Sequence, residues 1–263
     1  MKKSRKLVRP SSFAARLRAG EPLLGTIVIT PSPEMVETLA GTGLDWLFID
    51  CEHGVIDTSH FVALLQAAGA CPCVVRIPGH DPAWISRALD AGAAGIIAPR
   101  VDNAAQTRAI VSAAKYPPRG ARGMGLSRAH GFGLRHADYL QHANDETAVI
   151  VQAETRAAVR NIASIAAVPG VDAIFIGPND LAASFGHTGQ LDAAPVTRAV
   201  DRILVQCRRA RKQVGFFSVS TEGMRHALRG GATLAAVGMD MLFLIDGVAG
   251  MRRDMDALRR SCT

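Results

Sequence analysis

The 263-residue chain has few aromatics (5%), few lysines, no paired cysteines and no long apolar run. Each shortage excludes something. No apolar stretch reaches the roughly 20 residues a bilayer span requires, so no membrane partner is expected. The basic start, residues 1–9, is not followed by an apolar segment and does not read as a secretory signal. Cys51, Cys71, Cys73, Cys207 and Cys262 form no CxxC pair and no zinc-ligand spacing, which points to a reduced, cytoplasmic chain. The net charge of +7 gathers in residues 1–9, 119–135, 208–212 and 252–260, yet none of these stretches carries interleaved aromatics or a nucleic-acid module. Nucleic acid is therefore not expected as a partner, and attraction of small anions is the better use of the charge. The positions of the lysines exclude most. Lys2, Lys3 and Lys6 lie in the tail, while Lys115 and Lys212 fall in or at the ends of helices. Schiff-base chemistry needs a lysine inside the site, and none of these ends a strand.

What the chain does have is a hydrophobic fraction of 48%, mostly aliphatic, with 20% charged residues. That composition suits a globular domain large enough to bury its own core. Short β-branched runs alternate with helical stretches. Strands are expected over 23–30, 44–50, 73–77, 95–99, 148–152, 172–176, 214–219 and 233–237. Helices are expected over 33–42, 58–69, 82–91, 103–115, 155–168, 179–185, 195–213, 221–229 and 241–260. Strands this apolar are buried on both faces, as in a parallel sheet. Eight βα units predict an α/β fold: a single-domain (β/α)8 TIM barrel over residues 21–263, after a flexible basic leader over 1–20. A doubly wound sheet is the alternative, but the first strand is not followed by GxGxxG. Residues 117–145 form the longest segment without clear periodicity, and such a segment is often functional.

In a barrel of this kind the site lies where strands end. The expected strand ends deliver Asp50, Glu52 and His53; Arg76; Pro99 and Arg100; Gln152 and Glu154; Gly177, Pro178, Asn179 and Asp180; Ser218; Gly238 and Asp240. Glu154 and Asp180 come from successive strands, and two hard carboxylates on one rim suit Mg²⁺ or Mn²⁺, with Co²⁺ or Zn²⁺ as further candidates. The competing reading makes both of them helix caps or ion-pair partners. Asp50 and His53 are close enough in sequence for the carboxylate to orient the imidazole as a base. The alternative is a capping Asp and a solvated His. Arg76 closes a buried strand and needs an anionic partner, which is either a substrate carboxylate or a rim acid. The turn Gly177-Pro178-Asn179-Asp180 presents backbone N–H groups that suit a substrate carboxylate. Without a lysine, carbanion chemistry on this rim requires a metal as electron sink.

Four segments carry a family resemblance: 48–57 (FIDCEHGVID), 75–99 (VRIPGHDPAWISRALDAGAAGIIAP), 116–125 (YPPRGARGMG) and 151–186 (VQAETRAAVRNIASIAAVPGVDAIFIGPNDLAASFG). The ordered set DxEH, VR, QxET and GPxDL resembles the HpcH/HpaI aldolases, metal-dependent enzymes acting on 4-hydroxy-2-oxo and 2-keto-3-deoxy acids from aromatic or sugar-acid breakdown. The resemblance implies a hexamer whose last helix swaps between subunits. It implies Glu154 and Asp180 as metal ligands, His53 as base and Asp50 as its orienting carboxylate. It places Arg76 against the oxo acid, Gln152 in the site lining, and Asp90 beside a neighbouring subunit's site. The implied reaction is reversible cleavage to pyruvate and an aldehyde. Oxaloacetate decarboxylation, a malyl- or citramalyl-CoA lyase and a non-catalytic metabolite-binding barrel are the alternatives. The chain departs from the pattern at Asn179, where many such aldolases carry Ala, at Val55, and in the loop 126–136 (LSRAHGFGLRH).

Overall fold

The computed structural model describes residues 12–262. Eight parallel strands close into a barrel in sequence order: β1 (Leu23–Val28), β2 (Trp46–Asp50), β3 (Cys73–Arg76), β4 (Gly95–Ala98), β5 (Ala148–Ala153), β6 (Ala173–Ile176), β7 (Gln213–Ser218) and β8 (Leu234–Met239). Around it run α1 (Phe13–Ala19), α2 (Pro33–Ala40), α3 (Phe61–Ala67), α4 (Pro82–Asp90), α5 (Ala104–Ala114), α6 (His136–Glu146), α7 (Arg156–Ala166), α8 (Pro178–Ser184), α9 (Ala194–Arg209), α10 (Arg225–Arg229) and α11 (Asp240–Ser261). The (β/α)8 reading is therefore correct. None of the described helices is long and apolar enough to cross a membrane.

Strand residues alternate between two cores. Leu47 and Ile49 of β2 pack outward against the helices, while Trp46 and Phe48 point into the barrel. The inward set continues with Val74, Ile97, Ile150, Phe175, Leu234 and Ala236 from other strands. Aromatic rings stack along the barrel axis. Phe13 lies 5.8 Å from Trp46, Trp46 lies 5.8 Å from Phe48, and Phe48 meets Phe175 edge-on at 5.5 Å. Two glycines make room for them. A Cβ at Gly25 would come within 2.6 Å of the Trp46 ring, and one at Gly215 would collide with Phe175. Two residues further along the chain, on the same inward faces, stand Asp50, Arg76 and Gln152, so strand parity alone places the polar layer above the aromatic one.

The bottom of the column corrects the expected leader. Residues 1–11 lie outside the described residues. Residues 13–19, read with them as flexible, form α1, capped by Ser12 at its start and by Gly20 in the left-handed region (φ 75°) at its end. Phe13, Ala14 and Leu17 are buried and close the barrel from below. The segment 117–145 also gains structure, with a single 3₁₀ turn over Arg128–His130 and then α6. Only Ala143 of α6 is buried, so that helix has almost no apolar stripe to signal it.

Lys115 fastens the end of α6. The residue is 3% exposed, and its ammonium donates to the carbonyls of Asn144 at 2.7 Å and Thr147 at 2.6 Å. Burial pulls its pKa from the usual 10.5 to about 8, with Arg18 and Arg119 lowering it further against the pull of Asp172. The unfolded chain holds this proton up to pH 10.5 and the folded protein releases it near 8, so this group's contribution to stability rises as pH climbs between those values. Urea unfolding at pH 8 and pH 10.5 should show the advantage of wild type over Lys115→Met widening with pH, by about 3 kcal/mol at most.

Candidate active site

The rim at the C-terminal strand ends surrounds a cavity of about 230 Å³. Its lining has two characters. Asp50, His53, Arg76, Gln152 and Asp180 are polar or charged, while Ile27, Ile29, Phe175, Phe217 and Met239 are apolar. The sequence-predicted residues Gly177, Pro178 and Asn179 also line it.

Arg76 is the centre of the polar half. Register pairs it with Asp50 on the neighbouring strand, and the two form a bidentate ion pair: Nε to Oδ1 at 2.9 Å and Nη2 to Oδ2 at 2.6 Å. Nη1 lies 3.3 Å from Glu52, and the guanidinium carbon stands 5.2 Å from the centre of the Phe48 ring. Of the two partners open to Arg76, the rim acid is thus present, and the guanidinium still faces the cavity.

Asp50 does not orient the His53 ring, contrary to the expectation. Both its oxygens are engaged by Arg76, and Oδ1 also accepts the backbone N–H groups of Glu52 at 3.0 Å and His53 at 3.2 Å. It braces the turn that carries His53 rather than the imidazole. The acid nearest that ring is Glu52, with Oε2 at 4.0 Å from Nε2, and the His53 side chain is 63% exposed. Burial pushes the Glu52 carboxyl up, with Arg76 pulling the other way. Glu52 was visible as a strand-end residue, but its double contact depends on a turn that spacing does not reveal.

Glu154 sits opposite. One oxygen accepts the Arg100 N–H at 2.7 Å and the other accepts from the Gln152 amide. Arg100 adopts a left-handed conformation (φ 50°) to make that contact. Burial raises the Glu154 carboxyl to about 7, and the nearby charges of Asp180 and Glu52 add to the shift. Gln152 Oε1 is buried without a donor. A side chain at Gly177 would run into Glu154 and Gln152, so glycine keeps this corner open. Asp180 lies in the first turn of α8, whose Pro178 fits the helix start. Among the described residues no group of three or more His, Cys, Asp or Glu is arranged to hold a cation. A resident cation would take Glu154 and Asp180 and fill its remaining positions from water and substrate, a habit of Mg²⁺. The uncompensated acids and the donorless Gln152 oxygen fit such a cation.

Asp90 is not brought to this rim. It ends α4 at the opposite end of the barrel, where Nη2 of the buried Arg122 holds it at 2.6 Å. The helix runs back from the strand ends, so a residue at its C-terminus cannot reach its own chain's site.

Fold and rim define the class: a (β/α)8-barrel enzyme with an acid pair facing a buried arginine. The chain belongs to the HpcH/HpaI aldolase/citrate lyase family, which matches residues 26–247. It is 40% identical over 247 residues to a 4-hydroxy-2-oxovalerate aldolase of Novosphingobium aromaticivorans, covering 92% of this chain and 94% of the relative. It is 41% identical over 238 residues to a 4-hydroxy-2-oxo-heptane-1,7-dioate aldolase of Shigella flexneri, covering 89% of each. The crystal structure of a family member from Burkholderia cenocepacia J2315 superposes with a TM-score of 0.87 at 37% identity, covering 94% of this chain and 98% of that one.

Removing Asp50 should test the polar centre. Asp50→Ala leaves a buried guanidinium without its bidentate partner, and urea unfolding should show a loss of about 3–5 kcal/mol. Asp50→Asn keeps an acceptor for the two backbone N–H groups and should lose less.

Proposed function

We propose that this enzyme reversibly cleaves 4-hydroxy-2-oxo acids, 2-keto-3-deoxy sugar acids included, to pyruvate and an aldehyde. The observation that carries the reading is the division of the rim: the buried Glu154 carboxyl with Asp180 and an open corner on one side, and a buried arginine on the other. The aldolase relatives are named for two acids that share the 4-hydroxy-2-oxo head and differ beyond it.

Glu154 and Asp180 would hold a divalent cation, Mg²⁺ or Mn²⁺ by ligand chemistry, and when bound it supplies the electron sink that the missing lysine would otherwise provide. Arg76 is fixed by Asp50 with its plane set, so it faces the oxo acid where negative charge collects as the C3–C4 bond breaks. His53, at the exposed edge, takes the proton of the 4-hydroxyl, and the carbonyl of the departing aldehyde forms as that proton leaves. Gln152 and the Gly177–Asn179 turn position the carboxylate end. The apolar wall of Ile27, Ile29, Phe217 and Met239 receives the aldehyde side.

The helix α11 bears on assembly. Phe243, Leu244, Ile245, Val248, Met251, Met255 and Leu258 are all exposed on it. An apolar helix left this bare in a single chain calls for a partner. We assign it to a second copy of the chain, within a homo-oligomer of the hexameric type, and Asp90 to the edge of a neighbour's site.

With Mn²⁺ saturating, His53→Ala should slow aldol cleavage by about 10²–10⁴-fold. Proton exchange at the methyl group of pyruvate should be far less affected. Glu154→Gln should abolish Mn²⁺ binding in calorimetry. Cleavage unaffected by a chelator, or normal in both variants, would overturn the reading. Truncation after Asp240 should reduce the assembly to smaller species in sedimentation; an unchanged sedimentation coefficient per chain mass would remove α11 from the interface.

A further inference from the structure

A second cavity, of about 620 Å³, opens at the other end of the barrel. It lies among segments that precede strands: Arg18 before β1, Lys115, Arg119 and Asp145 before β5, Asp172 before β6, and Arg211 and Lys212 before β7. Five cationic side chains line it, against the two carboxylates of Asp145 and Asp172. Both carboxylates are already taken. Arg18 donates to Asp172 at 2.6 Å, and Arg119 pairs with Asp145. Asp172 also accepts the backbone N–H of Val149 at 2.8 Å.

Three cations are therefore left without a carboxylate. Lys115 is buried and uses two of its three N–H groups on the carbonyls of Asn144 and Thr147. Lys212 uses one, on the carbonyl of Val171 at 2.7 Å. Arg211 has no side-chain partner among the described residues. It is held in the left-handed region (φ 55°), where glycine would fit without strain, so the turn keeps an arginine at a backbone cost. The mutual repulsion is also visible in the two lysines. Burial lowers both, and Arg18 lowers them further. The basic lining continues into an adjoining hollow that shares Arg18, Arg211 and Lys212 and adds Arg208. None of these residues lines the catalytic cavity.

We propose that this cavity binds a compact anion carrying two or more negative charges, of the phosphoryl or polycarboxylate kind. The unused N–H groups of Lys115, Lys212 and Arg211 supply its donors, and the anion relieves their repulsion. By bridging α1, the start of β5 and the α9–β7 turn, it ties together the end of the barrel opposite the chemistry.

The test is calorimetry on metal-free protein with pyrophosphate in one arm and citrate in the other, with ionic strength held constant by sodium chloride. Saturable binding at one site per chain is expected. Arg211→Ala and Lys212→Met should each weaken it about tenfold or more, since a hydrogen bond to a charged group contributes that much. Both residues are at least partly exposed, so these variants should fold, and proton exchange into pyruvate should be unchanged in them. The arm that binds tighter tells a phosphoryl ligand from a polycarboxylate. Undiminished binding in the double variant, or no binding beyond that of matched sodium chloride, would overturn the proposal. So would a signal lost on Arg76→Ala instead, which would place the anion in the catalytic cavity.

Discussion

A guanidinium inside a closed barrel has to be neutralised, and most of the rim follows from how this is done. Arg76 points inward by the same strand parity as Val74, and in that position water solvates it poorly. Asp50, its register partner, answers with both oxygens, and Phe48 lies beneath. Once that pair is made, it is nearly neutral as a unit. Glu52, Glu154 and Asp180 then remain as an excess of negative charge around a small, half-apolar space. An excess of that kind invites a cation, and at Glu154 it adds to the upward push that burial exerts on the carboxyl. The chemistry on offer is thus set by an imbalance that the central ion pair leaves behind.

The aromatic column makes the imbalance rigid. Phe13, Trp46, Phe48 and Phe175 fill the barrel from its base to just below the polar layer, and Gly25 and Gly215 give the rings their width. A packed interior transmits little slack, so Arg76 above Phe48 has few alternative placements. Few aromatics are present in the chain, and several of them are spent here.

Much of this was legible in the sequence, because barrels write themselves in alternation. The eight strands emerge from apolar runs, and the inward parity of Asp50, Arg76 and Gln152 follows once those runs are placed. Glu154, Asp180 and His53 could be picked out because strand ends are where such folds keep their polar residues. What escaped has separate causes. Helix α1 is short, and its buried residues Phe13, Ala14 and Leu17 sit beside a basic tail that reads as leader. Helix α6 buries only Ala143, so it lacks the stripe by which helices are recognised. The partner of Asp50 could not be chosen from spacing, since His53 is nearer in the chain while Arg76 is nearer in space. Asp90, expected beside a neighbouring subunit's site, ends α4 away from its own chain's rim, a matter of helix direction that a motif does not carry.

Asp240 joins two parts of the molecule that have so far stood separately. Its carboxylate accepts the backbone N–H groups of Ile29 at 3.1 Å and Thr30 at 3.0 Å, and the Thr30 hydroxyl at 2.7 Å, pinning the end of the first strand to the end of the last. It is also the first residue of α11 and the one buried residue of that helix. The seam where the barrel closes and the root of the outlying helix are therefore the same point. Through that carboxylate α11 is tied to Ile29, which borders the catalytic cavity. The root of α11 thus stands one hydrogen bond away from the lining of the catalytic cavity.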